Sequence, residues 1–293
     1  MVGLECRHRQ DAGLREVGAL HSALFGRTPN TAVYIPPLRA AFYVATGGAI
    51  VAGSATVLGH GLDRPITGAL LAGYAGMVAL GVVRPRSQIF SNAISTVPDG
   101  VALTFDDGPH PEHTRRVLHL LDAHSARATF FMIGRKMRQH PDVVHEILAR
   151  GHAIGAHGYS HDRLYALRTL DWLRRDADQE DTVWHDVVGK KPTLFRPPIG
   201  LVNPRIARLA DERERTIVAW TIRPRDGLAH TPSEQVIARV VPRLGRGAIV
   251  LLHDVAEKDD RPPAALAALP AILDAMARLG LSAQSVVLPP DNT

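Results

Sequence analysis

Seven short apolar runs alternate with longer amphipathic stretches from Asp99 to the C-terminus. The apolar runs predict strands at Val101–Phe105, Ala128–Ile133, Ala153–Ala156, Thr193–Phe195, Thr216–Ile222, Ala248–Leu252 and Ser285–Leu288. The stretches between them predict helices at Thr114–His124, Pro141–Arg150, Leu170–Val188, Pro204–Asp211, Pro232–Leu244 and Pro263–Leu279. Regular alternation of strands and helices is typical of a parallel sheet covered by helices. About six to seven such units fit an α/β barrel.

Two long uncharged runs precede this region. Ala40–Leu62 has 23 residues without a charged side chain, and Pro65–Val83 has 19. A helix needs about 20 apolar residues to cross a bilayer. Small residues four positions apart let two such helices pack closely. The pattern predicts a two-helix transmembrane hairpin over residues 38–84, and the alternative is a pair of buried helices in a soluble domain.

The charges beside the runs predict an orientation in the membrane. The outer flanks carry Arg7, Arg9, Arg15, Arg27, Arg39, Arg84 and Arg86, whereas the connecting loop carries only Arg64. Positive flanks favour the cytoplasm. We therefore expect a multi-pass protein of the bacterial inner membrane with a cytoplasmic C-terminal domain. The expected domains are a basic segment 1–37, the hairpin 38–84 and a C-terminal domain 85–293.

Composition and charge exclude several other classes. The net charge is +5, from 34 basic and 29 acidic residues, and the sequence pI is about 9.7. Residues 1–86 hold +4 of this charge, and residues 87–293 hold only +1. The longer part of the chain therefore shows no basic stripe of the kind that binds nucleic acid. Cys6 is the single cysteine, which excludes an intrachain disulfide. We interpret the mixed charges of Arg174–Asp181 as a solvated helix face.

Polar clusters follow the first and third predicted strands. Asp106 and Asp107 are adjacent and directly follow an apolar run. Two neighbouring carboxylates disfavour each other's ionised form, so folding alone does not explain the pair. A solvated turn is the simpler alternative. His157 and His161 are four residues apart, which predicts one face of a helical turn and a shared metal. One carboxylate and two imidazoles form the open ligand set of hydrolytic Zn²⁺ and of Fe²⁺ or Co²⁺.

Three further clusters follow later strands. Arg196 lies between a strand and two prolines and can anchor a carboxylate, or it belongs to an ordinary Pro-rich loop. Asp226 either tunes a histidine or pairs with Arg223 or Arg225. His253 ends the most apolar strand, so it lies at the mouth of the predicted barrel or is a structural histidine.

Together, and in this order, the five clusters resemble a known family. The chain is similar to the polysaccharide deacetylase, or NodB-homology, domain of carbohydrate esterase family four over about residues 97–290. The TFDDGP string at 104–109 is the most specific motif, followed by HGYSH at 157–161 and LLHD at 251–254. The resemblance implies a distorted (β/α) barrel and metal-dependent N-deacylation of amino sugars.

The resemblance also implies a metal and a base. Asp107, His157 and His161 would bind one divalent ion, Zn²⁺ before Co²⁺, Ni²⁺ or Fe²⁺. Such an ion lowers the pKa of bound water from about 15.7 toward neutrality and polarises the acyl oxygen. Asp106 would take the proton of the water, and Arg196 would orient Asp106.

By the same resemblance, His253 would protonate the amine leaving group and Asp226 would tune it. A backbone N–H near Ile199 would stabilise the oxyanion. The sequence departs from the family pattern at three positions. Ile199 replaces an aromatic residue, Arg223 an aspartate and Gly227 a tryptophan. These positions shape the acyl pocket and tune the acid, so the substrate is less constrained than the chemistry.

The expected function is therefore that of a membrane-attached, metal-dependent hydrolase. It would remove an N-acyl group, N-acetyl first, from an amino sugar in a glycan or a lipid-linked glycan. A lipid-linked sugar fits better if the catalytic domain is cytoplasmic. The alternatives are a deformylase or another amide or O-acetyl ester hydrolase on the same fold, and a non-catalytic membrane-bound glycan-binding module. No protein partner is implied.

Overall fold

The computed structural model describes residues 36–57, 64–227, 231–256 and 262–288. The predicted basic segment up to residue 35 and the predicted turn around Asp63 lie outside the described residues. The chain divides into two compact units. The described part of the first unit is 36–57, 64–92 and 201–213, and the second unit holds the other described residues.

Nine α-helices form within the described ranges. They are α1 Pro37–Val57, α2 Arg64–Val83, α3 His113–Ala123, α4 Gly134–Gln139, α5 Pro141–Ala149, α6 Leu170–Val188, α7 Pro204–Glu212, α8 Ser233–Val240 and α9 Ala264–Arg278. Short 3₁₀ turns form at Pro85–Ser87, Tyr165–Leu167, Pro198–Gly200 and Val241–Arg243. Helix α4 was not expected, because Met137 is the one large apolar side chain among its six residues and gives no apolar period.

The second unit is built on a parallel sheet. Its strands are β1 Val101–Asp106, β2 Thr129–Met132, β3 Ala153–Ala156, β4 Leu194–Phe195, β5 Thr216–Ile217, β6 Ala248–His253 and β7 Ala283–Gln284. Their order is β5-β4-β3-β2-β1-β6, and β7 pairs with the first two residues of β1. Strand β1 pairs with β2, β6 and β7 and is buried along its whole length, as expected when both faces are covered.

One segment, 216–222, reaches both edges of the sheet. Thr216 and Ile217 pair with β4 at one edge. Ile222 pairs with Val250 of β6 at the other edge, and its carbonyl accepts a hydrogen bond from the Leu251 N–H at 2.9 Å. The sheet is therefore curled, and the predicted α/β fold, a distorted barrel, is confirmed. The predicted strand Thr216–Ile222 is regular only over its first two residues, because its pairing partner changes along its length.

The last predicted strand, Ser285–Leu288, is wrong. The strand is Ala283–Gln284, and the chain then leaves the ladder. The reason is a change of partner, since the Val286 N–H donates to the Thr129 hydroxyl at 2.8 Å and not to a strand carbonyl. The side chains of Val287 and Leu288 are exposed.

In the first unit, α1, α2 and the residues after α2 pack through aromatic side chains. The Phe42 ring lies 5.7 Å from that of Tyr74 and 5.4 Å from that of Phe90, between ring centroids. Helix α7 is capped by Asn203, whose side-chain oxygen accepts hydrogen bonds from two backbone N–H groups. Both predicted apolar helices therefore form.

One described helix is long and apolar enough to cross a membrane. It is the stretch Pro65–Val83 of α2, with a mean hydropathy of 1.9 and only 6% of its most apolar window buried. Helix α1 does not reach the same hydropathy within the described residues. The membrane hairpin stays a prediction.

Candidate active site

A cavity of about 400 Å³ opens at the carboxyl ends of the strands. Asp106 ends β1 and is in register with Phe131 of β2 and His253 of β6. His157 directly follows β3, and Arg196 directly follows β4. Parallel strands bring their carboxyl ends to the same rim of a barrel, so residues distant in the chain meet there.

Three predicted metal ligands converge in the cavity. The Asp107 Oδ1 lies 3.0 Å from the His161 Nε2 and 3.4 Å from the His157 Nε2. One ligand atom from each residue falls within 4.8 Å of the others. Within the described structure the Asp107 Oδ1 is buried and has no hydrogen bond. A buried carboxylate oxygen facing two imidazole nitrogens is costly alone and is satisfied by a divalent cation, so these residues fit the metal.

The protonation of these groups also suits a cation. Burial would raise the pKa of Asp107, but the facing imidazoles of His157 and His161 hold it well below its usual value. The carboxylate is therefore ionised. The His157 Nδ1 lies 2.6 Å from the Arg196 carbonyl oxygen, which can only accept a hydrogen bond. Nδ1 therefore carries the proton, and the Nε2 lone pair is directed at the metal position.

The backbone between His157 and His161 is not a helical turn, contrary to expectation. Gly158 has a φ of 77° and His161 a φ of 52°, both left-handed. The ring centroids still lie 4.9 Å apart. The local N–H groups bond to side chains of α6, and not to carbonyls one turn earlier.

Two buried carboxylates of α6 hold this loop. The Asp176 carboxylate accepts hydrogen bonds from the Tyr159 N–H at 2.9 Å and the Ser160 N–H at 3.1 Å. Glu180 accepts one from the His157 N–H at 3.1 Å. The second Glu180 oxygen accepts a hydrogen bond from Arg215 at 2.6 Å, and both side chains are almost completely buried.

The interpretation of Arg174–Asp181 as a solvated face is therefore wrong for Asp176 and Glu180. Their spacing of four places both on one face of α6, the face that buries Leu173 and Ala177. Carboxylates within an apolar stripe are rarely buried without a partner, and that signal could have identified them from sequence.

The loop of Asp107 has its own support. The Lys136 ammonium donates to the Asp107 carbonyl at 2.7 Å. A side chain at Gly108 would collide with the carboxylate of Asp254, which accepts a hydrogen bond from Thr114 at 2.5 Å. Burial raises the pKa of Asp254 to about 6, which the Thr114 hydrogen bond opposes. Asp254 was not predicted as a site residue from sequence, although its carboxylate lies against Gly108, next to Asp107.

Arg196 is fully buried and bonded to Asp106. Its Nη1 donates to the Asp106 Oδ1 at 2.7 Å and to the Thr104 hydroxyl at 2.8 Å. Its other nitrogens donate to the carbonyls of Val218 at 3.1 Å and Ala219 at 3.3 Å. This guanidinium is therefore satisfied on several sides and leaves the Asp106 Oδ2 without a partner from Arg196.

His253 is paired with Asp226 on the opposite side of the cavity. The His253 Nδ1 lies 3.1 Å from one Asp226 oxygen, and the His253 N–H donates to the other at 2.7 Å. Burial alone would lower the pKa of His253, but Asp226, with Asp107 and Asp106, raises it to about 10. A cation bound to Asp107 would offset part of this effect. Neither Arg223 nor Arg225 forms an ion pair with Asp226 among the described residues.

The remaining predicted position, Ile199, also lines the cavity. It has a φ of 63° within the turn Pro198–Gly200 and is partly exposed. Gly227 lies against His253, where a Cβ would come within 3.0 Å of the imidazole. A side chain at 227 would therefore displace the ring that pairs with Asp226.

The geometry agrees with comparisons to known proteins. A family model described as polysaccharide deacetylase matches residues 94–218. The chain is 38% identical over 169 residues to a peptidoglycan-N-acetylglucosamine deacetylase of Bacillus cereus, covering 57% of this chain and 78% of that protein. The chain belongs to the polysaccharide deacetylase family.

Two further comparisons show how far the likeness extends. The peptidoglycan-N-acetylmuramic acid deacetylase PdaC of Bacillus subtilis is 32% identical over 155 residues, but the match spans only 32% of its length and 53% of this chain. A family 4 carbohydrate esterase from Streptomyces lividans, solved with acetate, superposes with a TM-score of 0.58 at 28% identity. That match covers 67% of this chain and 95% of the esterase.

The hydrogen bonds of Asp176 predict its contribution to this deacetylase-family fold. The substitution Asp176→Ala leaves the backbone N–H groups of Tyr159 and Ser160, in the loop after β3, without acceptors, which costs about 2–4 kcal/mol. We expect a lower free energy of unfolding and weaker metal binding, measured by urea denaturation and metal titration. The control is Asp186→Ala on the exposed face of α6, expected within about 0.5 kcal/mol of wild type. Equal losses for both variants would contradict the role of Asp176.

Proposed function

We propose that this chain is a metal-dependent deacetylase that removes the N-acetyl group from an amino sugar in a glycan. One observation carries the proposal: the cavity that holds a metal-type ligand set is also lined by Asp106, which is paired with Arg196, and by His253, which is paired with Asp226. The family supports the same chemistry, since the Bacillus cereus relative is a peptidoglycan deacetylase by its description.

Asp107, His157 and His161 would hold one divalent ion, with Zn²⁺ the first choice for this donor set. When bound, the ion supplies an acidified water and polarises the acyl carbonyl. Asp106 then acts as the general base. Its Oδ1 is occupied by Arg196, so Oδ2 accepts the proton while the water oxygen attacks the acyl carbon.

The leaving amine needs a proton, because an amide anion is a poor leaving group. The pKa of His253 is raised, so the imidazole is protonated and can donate from Nε2 while Nδ1 stays bonded to Asp226. The Ile199 N–H donates to the oxygen on which negative charge develops. The C–N bond breaks, and the products are acetate and the free amino sugar.

Substitutions at the aspartate pair test metal dependence. Asp107→Ala removes a ligand, so we expect bound metal and deacetylation to be lost together, by at least about 100-fold. Asp106→Asn keeps the three ligands, so metal is retained while kcat falls about 10²–10⁴-fold. Bound metal is measured by elemental analysis, and released acetate is measured with metal-stripped and reloaded protein. A chain that still binds glycan but releases no acyl group in any metal state would be a binding module instead.

The His253–Asp226 pair predicts a pH dependence. The general acid must be protonated, so activity falls as the pH rises through the pKa of His253. Asp226→Asn removes the anion that raises this pKa, and we expect the alkaline limb of the kcat/KM profile to move to lower pH. The measurement is kcat/KM against pH for both proteins. An unshifted alkaline limb would show that His253 is not the acid that Asp226 tunes.

We also propose that the first unit attaches the protein to the inner membrane, with the catalytic domain facing the cytoplasm. Large apolar side chains of α1 and α2 are exposed, among them Val44, Val51, Ile66 and Leu71. An apolar surface of this kind marks a membrane or partner contact. A cytoplasmic catalytic domain would favour a lipid-linked amino sugar as the substrate.

Membrane attachment is tested with the full chain. We expect it in the carbonate-resistant membrane fraction, and Leu71→Lys should reduce that fraction because a lysine at the centre of a span costs about 3 kcal/mol. Leu167→Lys, also exposed but in the second unit, is the control. Recovery of wild type in the soluble fraction would contradict attachment. A C-terminal reporter active only outside the cytoplasm would contradict the orientation.

A further inference from the structure

Two arginines of the cavity wall have no role in the proposed reaction. Arg223 and Arg225 line the same cavity as Asp107 and His253, and both are exposed to it and to solvent. They flank Pro224 and come shortly before Asp226. The segment whose aspartate pairs with His253 therefore also carries two positive charges.

Neither guanidinium is paired with a carboxylate in the part of the chain that the structure describes. Arg223 instead lies over the Trp220 ring, with its guanidinium carbon 5.6 Å from the ring centroid. It therefore covers an aromatic surface on which a neutral sugar ring would otherwise stack.

The backbone of this segment has a constrained conformation. Arg225 has a φ of 64°, a left-handed conformation that side-chain-bearing residues adopt only when their surroundings impose it. Its carbonyl accepts a hydrogen bond from the Thr231 hydroxyl at 2.8 Å. Arg225 thus lies in a constrained turn, and both arginines line the cavity without an ion-pair partner among the described residues.

Planar guanidinium groups bind carboxylate and phosphate oxygens through paired hydrogen bonds. Two of them beside a cation-binding set leave an excess of positive charge that a neutral sugar would not compensate. We propose, resting on the deacetylase function above, that the substrate is an N-acyl amino sugar with an anionic group, a carboxylate or a phosphate, bound by Arg223 and Arg225.

The test compares neutral and anionic substrates with the metal-loaded full chain. The probes are an N-acetylglucosamine oligomer, a glycan that contains N-acetylmuramic acid, and N-acetylglucosamine carrying a phosphate ester. We expect kcat/KM for at least one anionic probe to exceed the neutral value about 10-fold or more, with the advantage falling as salt rises. The preferred anionic probe distinguishes a carboxylate source from a phosphate source.

The variants Arg223→Gln and Arg225→Gln should lower kcat/KM for the anionic probe about 10-fold more than for the neutral one. The matched control is Arg278→Gln, an exposed arginine at the end of α9 that does not line the cavity. It should leave the preference intact. Thermal unfolding of each variant separates a loss of recognition from a loss of folding.

Failure of this inference differs from failure of the proposed function. Equal kcat/KM for the neutral and anionic probes, or variants that lose the same factor of kcat/KM on both kinds of probe, would overturn the anionic substrate while the deacetylase stands. If no probe is deacylated, the dissociation constants of glucosamine 6-phosphate and glucosamine decide by calorimetry. Tighter binding of the phosphate that Arg223→Gln abolishes supports the inference, and equal binding overturns it.

Discussion

The buried guanidinium of Arg196 is the contact on which the site depends. It joins Asp106 and Thr104 of β1 to the carbonyls of Val218 and Ala219. The backbone carbonyl of Arg196 also accepts a hydrogen bond from the His157 imidazole. Asp106, His157 and a segment at the sheet edge thus share one residue as their partner. An isolated buried charge is strongly destabilising, so this arrangement persists only because each partner is present.

Sequence predicted the parts of the site that follow strand ends. Alternation placed β1, β3, β4 and β6, and motif resemblance supplied the reactive side chains at their carboxyl ends. It did not predict how these side chains are held. Asp176 and Glu180 lie in the apolar stripe of α6, which indicates that they are buried, but only the tertiary structure shows that their oxygens accept hydrogen bonds from the loop after β3. The left-handed Gly158 likewise replaced the expected helical turn, because spacing alone does not determine backbone direction.

The two sides of the cavity differ in how closely they follow the family pattern. The side with Asp107, His157 and Arg196 keeps the expected residues, and each has hydrogen-bonded or ionic support. The other side holds the departures. Gly227 leaves room for His253 where a side chain would displace it, and Arg223 covers Trp220. Conserving one side and varying the other allows a family to keep its reaction while changing what it accepts.

The segment that touches both sheet edges has a consequence for how such variation can arise. Residues 216–222 curl the sheet, supply the acceptors for Arg196 and lead directly into the turn that carries Arg225 and Asp226. A change of length in this stretch would alter both the closure of the barrel and, through Arg196, the orientation of the Asp106 carboxylate. New substrates are therefore more accessible through exchanges of single side chains on this stretch than through insertions, which longer peripheral loops tolerate.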